Sequence, residues 1–183
     1  RAFLIPAPRR KASFLTHSIA SDASEKLKGL LPLQTRFESP RSINSMTTLC
    51  EKSGGDVRDV AHAVGLDPRI GPHFLSASPG FGGSCFEKDL RLLCQLAKAL
   101  GQTEVAEYWQ SVIRLNDKHI SRVARAISKV AGPGGKVAVF GLGFKGGVDD
   151  VRNSPALRIL DGLVTAGHPV AAYDPRVKRL KGL

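Results

Sequence analysis

"GPGGKVAVFGLGF", residues 132–144, divides the chain into two kinds of pattern. Three glycines and a proline stop any helix that precedes them. The next residues, Val137 to Phe140, are a short apolar run that reads as a strand entering a glycine turn. "SPALRILDGLVTAG" (154–167) reads as a helix, with Ser154 as its cap and Pro155 in its first turn. "HPVAAYDP" (168–175) reads as a second strand. Strand, helix and strand make one βαβ unit, the opening of a Rossmann-like sheet. Two parallel strands and one helix leave a sheet face and an edge uncovered, so a complete domain needs more strands. Gly141, Gly143 and Gly146 with Asp174 satisfy the spacing of a dinucleotide fingerprint. In that fingerprint the helix starts inside the glycine turn, whereas here "KGGVDDVRN" intervenes. The turn is therefore discounted as a dinucleotide site, while a nucleotide phosphate near Lys145 and Arg152 stays open.

Upstream the period is helical. Ile43, Met46, Leu49 and Cys50 recur on one face and stop at Gly54-Gly55. Asp56 can cap a second helix, with Val57, Val60, Ala61 and Val64 expected on its buried face and Gly65 as its stop. A loop follows, residues 66–84, of a length that in compact domains tends to be functional. Phe86, Leu90, Leu93, Cys94, Ala97 and Leu100 then form one stripe. Thr103 can cap a longer helix, whose stripe runs Val105, Trp109, Val112, Asn116, Ile120, Val123, Ile127, Val130. At 1.5 Å per residue it is a rod of roughly 40 Å. Such a stripe suits a subunit interface or packing along the helix's own domain, and pattern alone does not choose.

The chemistry concentrates in "GFGGSCFEKDL", residues 80–90. Cys85 falls at or just before a helix start, where unpaired N–H groups and a nearby ammonium such as Lys88 stabilise a thiolate. Gly80, Gly82 and Gly83 leave the backbone bare, which lets a substrate approach. The plainer account is a small buried residue beside a flexible turn, and Cys50 and Cys94 are assigned to it. Cys85, with Lys88 and Asp89 near it, is read as functional.

Composition bounds the rest. The 183 residues are 42% hydrophobic, enough for a core, and could hold one domain or two small ones. Three cysteines without CxxC spacing give neither a disulfide framework nor a zinc site, so a reducing, cytoplasmic setting is expected. Five scattered histidines add no ligand pattern, and no metal is expected. No apolar run approaches a membrane span, so no membrane partner is expected. The net charge of +11 points towards polyanions, but eight Lys/Arg against three Asp/Glu lie in residues 1–41, without interleaved aromatic residues. That segment is read as an irregular basic stretch, and no nucleic acid is expected.

Taken together, "INSMTTLCE", "GLDPRIGPHFLSASPGFGGSCFEKDL", "EYWQSVIRLND" and "GLGFKGGVDDVRNSPAL" with "AAYDP" resemble the UDP-glucose/GDP-mannose dehydrogenases, the nucleotide-sugar 6-dehydrogenases. The likeness is strongest to the branch that oxidises UDP-glucose, and covers residues 41–183. The resemblance implies an N-terminal NAD-binding Rossmann domain, a helical middle domain around a long dimerising helix, and a Rossmann-like domain that helps hold the UDP-sugar. It implies NAD as cofactor and oxidation of the sugar C6 alcohol to a carboxylate through a cysteine thiohemiacetal and thioester. Cys85 matches the nucleophile, and Asp89 the aspartate that assists water and proton transfer, with Lys88 beside it. Arg69 and Phe74 match loop contacts to the nucleotide sugar, Arg69 reaching across a dimer. Gly82 and Gly83 match the sugar pocket, Lys145 a lysine at the substrate, and Arg152 an arginine near the cofactor phosphates. Ser76 stands where relatives often carry lysine, and Pro79 enters the glycine turn.

The expected architecture is thus a mainly α central dimerisation domain, 41–131, followed by the first βαβ unit of an α/β Rossmann-like domain, 136–183, after an irregular segment, 1–40. The chain is expected to be a fragment of the enzyme, inactive alone, that forms a homodimer or higher homo-oligomer and meets a UDP-sugar. Two alternatives stand beside it: a non-catalytic oligomerisation module, and a GDP-mannose dehydrogenase or another nucleotide-sugar 6-dehydrogenase.

Overall fold

The computed structural model describes residues 43–178, so the expectations for residues 1–42 and 179–183 lie outside the described residues. Helix α1 occupies 43–53 and ends where Gly54-Gly55 was read as its stop. Helix α2, Val57–Gly65, has Asp56 as N-cap, its carboxylate accepting the Arg58 N–H at 2.8 Å. A long irregular loop leads to α3, Phe86–Ala99, and then to α4, Thr103–Ala131. Strand β1, Val137–Phe140, helix α5, Pro155–Thr165, and strand β2, Val170–Tyr173, complete the order. The two strands pair in parallel with Val137 opposite Val170 and Phe140 opposite Tyr173, so the βαβ reading holds. Ser154 caps α5, its hydroxyl accepting the Ala156 N–H at 3.2 Å, with Pro155 in the first turn.

Helix α4 joins the two halves. Its buried side chains include Trp109, Val112, Ile113, Asn116, Ile120 and Ala124. Helix α3 packs along α4 with Leu90, Cys94 and Ala97 buried, and α5 packs on it through Ile159 and Leu163 against Ile120 and Ala124. Val123, Ile127, Val137 and Val170 close that second cluster. Most of the α4 stripe is therefore covered by its own chain, which removes stripe length as an argument for a subunit interface. Trp109 in particular is buried inside the chain. Val105, Tyr108 and Leu115 on the same helix stay exposed.

Two local expectations are corrected. Thr103 is the first helical residue, not the cap; Gln102 takes the N-cap position and makes no side-chain capping bond. No residue of α2 is fully buried: Val57, Val60 and Ala61 are half-buried and Val64 is exposed.

His168 ties the halves at a polar point. It is buried just before β2, with Nδ1 3.0 Å from the Gly135 carbonyl and Nε2 2.7 Å from the Ser128 hydroxyl. A carbonyl only accepts, so Nδ1 donates to Gly135, and Nε2 shares a hydrogen bond with the Ser128 hydroxyl. The end of α4, the glycine stop and the start of β2 thus share one imidazole. On the far side of the sheet Phe140 and Tyr173 are exposed.

If the βαβ unit owes its place to α4, the fully buried Leu163 is its anchor. Leu163→Ala should lower the unfolding free energy of the chain by about 2–5 kcal/mol, read by urea denaturation. A loss within ordinary surface-substitution size, about 0.5 kcal/mol, would contradict this packing.

Candidate functional site

Cys85 is the N-cap residue of α3, in a helical backbone conformation, and its carbonyl accepts the Asp89 N–H at 2.9 Å. Its thiol is exposed, makes no capping bond, and has the Ser84 hydroxyl 3.8 Å away. Of the other two cysteines, Cys50 is half-buried and Cys94 buried, burial pushing the Cys94 thiol above its ordinary range. Cys85 is the one exposed thiol at a helix start, as the sequence pattern suggested. Asp89 lies one turn further along α3, half-buried, so the spacing of four puts the two on one face of the helix.

The glycine turn before Cys85 is pressed between two neighbours. A Cβ on Gly80 would sit 2.6 Å from Ile120 Cγ1 and 3.0 Å from Asn116 Oδ1 of α4. One on Gly82 would sit 2.7 Å from Pro155 Cδ and against the Asn153 carbonyl. Here bareness serves protein packing, a use that sequence reasoning assigned to substrate approach. The Gly83 N–H donates to the Arg152 carbonyl at 3.1 Å, and the Phe144 ring lies over Gly83. So the turn is fastened to the βαβ unit.

That fastening gathers several of the expected residues. Arg152 pairs with Asp150 at 2.8 Å; this bond raises its proton affinity first, and Cys85 contributes a smaller charge interaction of the same sign. The same pair holds the Asp150 carboxyl down at about 2. Lys145 rests its ammonium over the Phe144 ring, 5.4 Å from its centroid, and so follows the ring that covers Gly83. Lys88 faces an open hollow of about 450 Å³ lined also by Gly83, Ser84, Glu87, Arg91 and Asn153. Arg69 is placed otherwise: its guanidinium is engaged by Asp67 at 2.6 Å, with the side chain 87% exposed. Phe74, at φ 66°, is exposed on the same loop.

Sequence reading missed the polar side chains that hold this loop. Asn116, read as one more member of the α4 stripe, is buried and bonds the Phe81 backbone twice, accepting at 2.9 Å and donating at 3.1 Å. Asn44 of α1 accepts the Ser78 N–H at 2.9 Å, and His119 Nε2 meets the Ser78 carbonyl at 2.8 Å. Glu87 receives the Asn153 side-chain amide and the Arg91 guanidinium, joining α3 to the turn before α5. The available signal was an asparagine at a core position of a helix, which is costly unless its amide is paired.

The glycine turn after β1 is satisfied from within. The Asp174 carboxylate accepts the Leu142 and Gly143 N–H groups at 2.7 and 3.2 Å with one oxygen, and those of Arg176 and Val177 at 2.8 and 3.1 Å with the other. These bonds, the Leu142 one foremost, hold its carboxyl at about 2. Helix α5 starts only at Pro155, so it does not open inside this turn. The donors a pyrophosphate would need are taken, and the turn does not fit a dinucleotide. Among the described residues no group of three or more His, Cys, Asp or Glu could hold a metal ion, and no helix is long and apolar enough to cross a membrane.

Comparison with known proteins follows the same division. The profile of the UDP-glucose/GDP-mannose dehydrogenase family, central domain, matches residues 41–118, and that of the family's UDP binding domain matches residues 138–182. UDP-glucose 6-dehydrogenase 2 of Oryza sativa subsp. japonica is 48% identical over 139 residues, which are 74% of this chain and 29% of that protein. UDP-glucose 6-dehydrogenase 2 of Arabidopsis thaliana is 45% identical over 139 residues, with the same two shares. The solved structure of a UDP-glucose dehydrogenase from the hyperthermophilic archaeon Pyrobaculum islandicum superposes with a TM-score of 0.71 at 30% identity, covering 86% of this chain and 36% of that one. The chain thus spans about 29% of the length of these curated relatives.

Two outcomes test the geometry. Gly82→Ala should destabilise the chain by about 1–3 kcal/mol, because the added methyl meets Pro155 and the Asn153 carbonyl; an unchanged urea midpoint would contradict that contact. For Asp174 the folded carboxyl titrates at about 2, below the unfolded value, so its stabilisation is complete above about pH 4 and is lost as pH falls towards 2. Urea midpoints measured between pH 5 and pH 2 should drop less in Asp174→Asn than in the unaltered chain, and equal slopes would show that the turn bonds contribute nothing.

Proposed function

Because the chain belongs to the UDP-glucose/GDP-mannose dehydrogenase family, we propose that it carries the covalent nucleophile and part of the sugar-nucleotide site of an NAD-dependent UDP-glucose 6-dehydrogenase. One observation carries the reading. The one exposed cysteine takes the N-cap position of α3, with Asp89 one turn along the helix and Arg152 tied to the same glycine turn through its carbonyl.

In this reading the Cys85 thiolate adds to the carbonyl carbon of the C6 aldehyde, forming a C–S bond. NAD, when bound, would supply the hydride acceptor; the glycine turn after β1 does not hold it. At the thioester stage water adds to the carbonyl carbon while Asp89 accepts its proton; the C–S bond then breaks, releasing the carboxylate and restoring the thiolate. Lys88 and Arg152 add positive charge beside the sulfur. Lys145, Gly82 and Gly83 line the sugar-nucleotide side, and Arg152 also serves the cofactor phosphates. Arg69 and Phe74 belong to the same substrate site in a dimer. Arg69 is bound locally by Asp67 with its side chain 87% exposed, which leaves it open to a second copy. The exposed Val105, Tyr108 and Leu115 of α4 support self-association through that helix.

Selective chemistry at sulfur tests this. Brief iodoacetamide treatment near neutral pH, read by peptide mass, should label Cys85 well ahead of Cys50 and Cys94. UDP-glucose should slow the labelling of Cys85, with GDP-mannose slowing it less. Equal labelling of Cys85 and Cys50, unaffected by either sugar nucleotide, would overturn the assignment.

A further inference from the structure

We propose that Asn116 is a positioning residue for Cys85, acting through the backbone and ring of Phe81; the proposal rests on the reading of Cys85 as the nucleophile. Asn116 lies mid-helix in α4 and is 6% exposed. A buried amide there is unfavourable for helix formation and for desolvation unless both its ends are paired. Both are paired, and to one residue: Oδ1 accepts the Phe81 N–H and Nδ2 donates to the Phe81 carbonyl. Two opposed bonds fix the tilt of that peptide segment as well as its place.

The neighbouring contacts carry this placement to the sulfur. Gly80 has no room for a side chain against Asn116 and Ile120, so the loop lies flat on α4. The Phe81 ring packs on Phe86 with centroids 4.4 Å apart, and Phe86 is the first residue of α3, next to Cys85. Asn44 and His119 hold Ser78 three residues earlier. The loop is thereby pinned at 78 and at 81, and Cys85 follows four residues on. Of the pins that α4 supplies, Asn116 is the one nearest to the thiol in sequence, the closer tie at Gly83 coming from the βαβ unit. A hydroxyl is too short to span both Phe81 groups, and a carboxylate accepts without donating.

Asn116→Asp isolates this function, because it keeps shape and acceptor while setting a second oxygen against the Phe81 carbonyl. The readout is the labelling of Cys85 relative to Cys50 by methyl methanethiosulfonate, by peptide mass, at several pH values. At pH 8 the ratio should fall about tenfold, as displacement of a reacting group does. It should return to the unaltered chain's value below about pH 6, where a carboxyl buried against a carbonyl takes up a proton and donates again. The other ionisable groups around the loop, His119, Lys118 and Arg122 on α4 and Glu51 on α1, are common to both proteins. Buried Cys94 reports folding: it stays unlabelled while the core is closed. If it becomes labelled in Asn116→Asp, Phe86→Leu decides, since it cuts the ring step and leaves the amide pair whole, and the same fall is expected. A ratio equal to the unaltered chain's at pH 8, or a deficit that acid does not close, overturns the role of Asn116. Absence of any Cys85 preference in the unaltered chain overturns the nucleophile reading and this one with it.

Discussion

Burial of one face of α4 is the interaction on which the other elements depend. Helix α3 covers its first half and α5 its second, so neither the thiol-bearing helix nor the two-stranded sheet has a separate core. Apolar area supplies that attraction without direction. Direction comes from a few polar points along the same helix, Asn116 and His119 towards the loop and Ser128 towards His168. The long helix therefore acts as a ruler. Distances along it set where the loop, the glycine stop and the sheet meet.

The same division decides what a reader of the sequence could see. Helices with caps were legible because Asp56 and Ser154 are local signals, acting on residues two positions away. The βαβ unit was legible because its period changes at Gly132. The glycines at 80, 82 and 83 were legible as a special backbone, but their partners Ile120, Asn153 and Phe144 lie 40, 71 and 61 residues away, and no local pattern names them. Asn116 and Asn44 were hidden for a related reason. Spacing marks a core position and says nothing of which backbone group its amide will meet. The α4 stripe left a subunit interface and packing within the chain both open, because a long stripe has room for two short partners from its own chain as well as for a second copy.

Cys85 sits at a join between two bodies of structure. Its loop is held from α4 by side-chain amides, and its glycines are held from the βαβ unit by the Arg152 carbonyl, the Phe144 ring and Pro155. Glu87, two residues beyond the sulfur, adds a third tie to Asn153, itself at φ 53°. The sulfur is thus placed by both halves together. Movement of the sheet relative to α4 would reach it within a few bonds, and a thiol that must meet a carbonyl carbon depends on such tolerances.

Among the described residues, three arginines pair with an aspartate two positions earlier. Arg58, Arg69 and Arg152 each follow an aspartate by two residues and close a ring with it, at 2.5, 2.6 and 2.8 Å. Their side chains remain 87%, 87% and 71% exposed. A phosphate arriving at such an arginine exchanges for a carboxylate already in place, so it gains only the difference between two anions. Each guanidinium is held beside its own turn, where any incoming anion competes with that carboxylate.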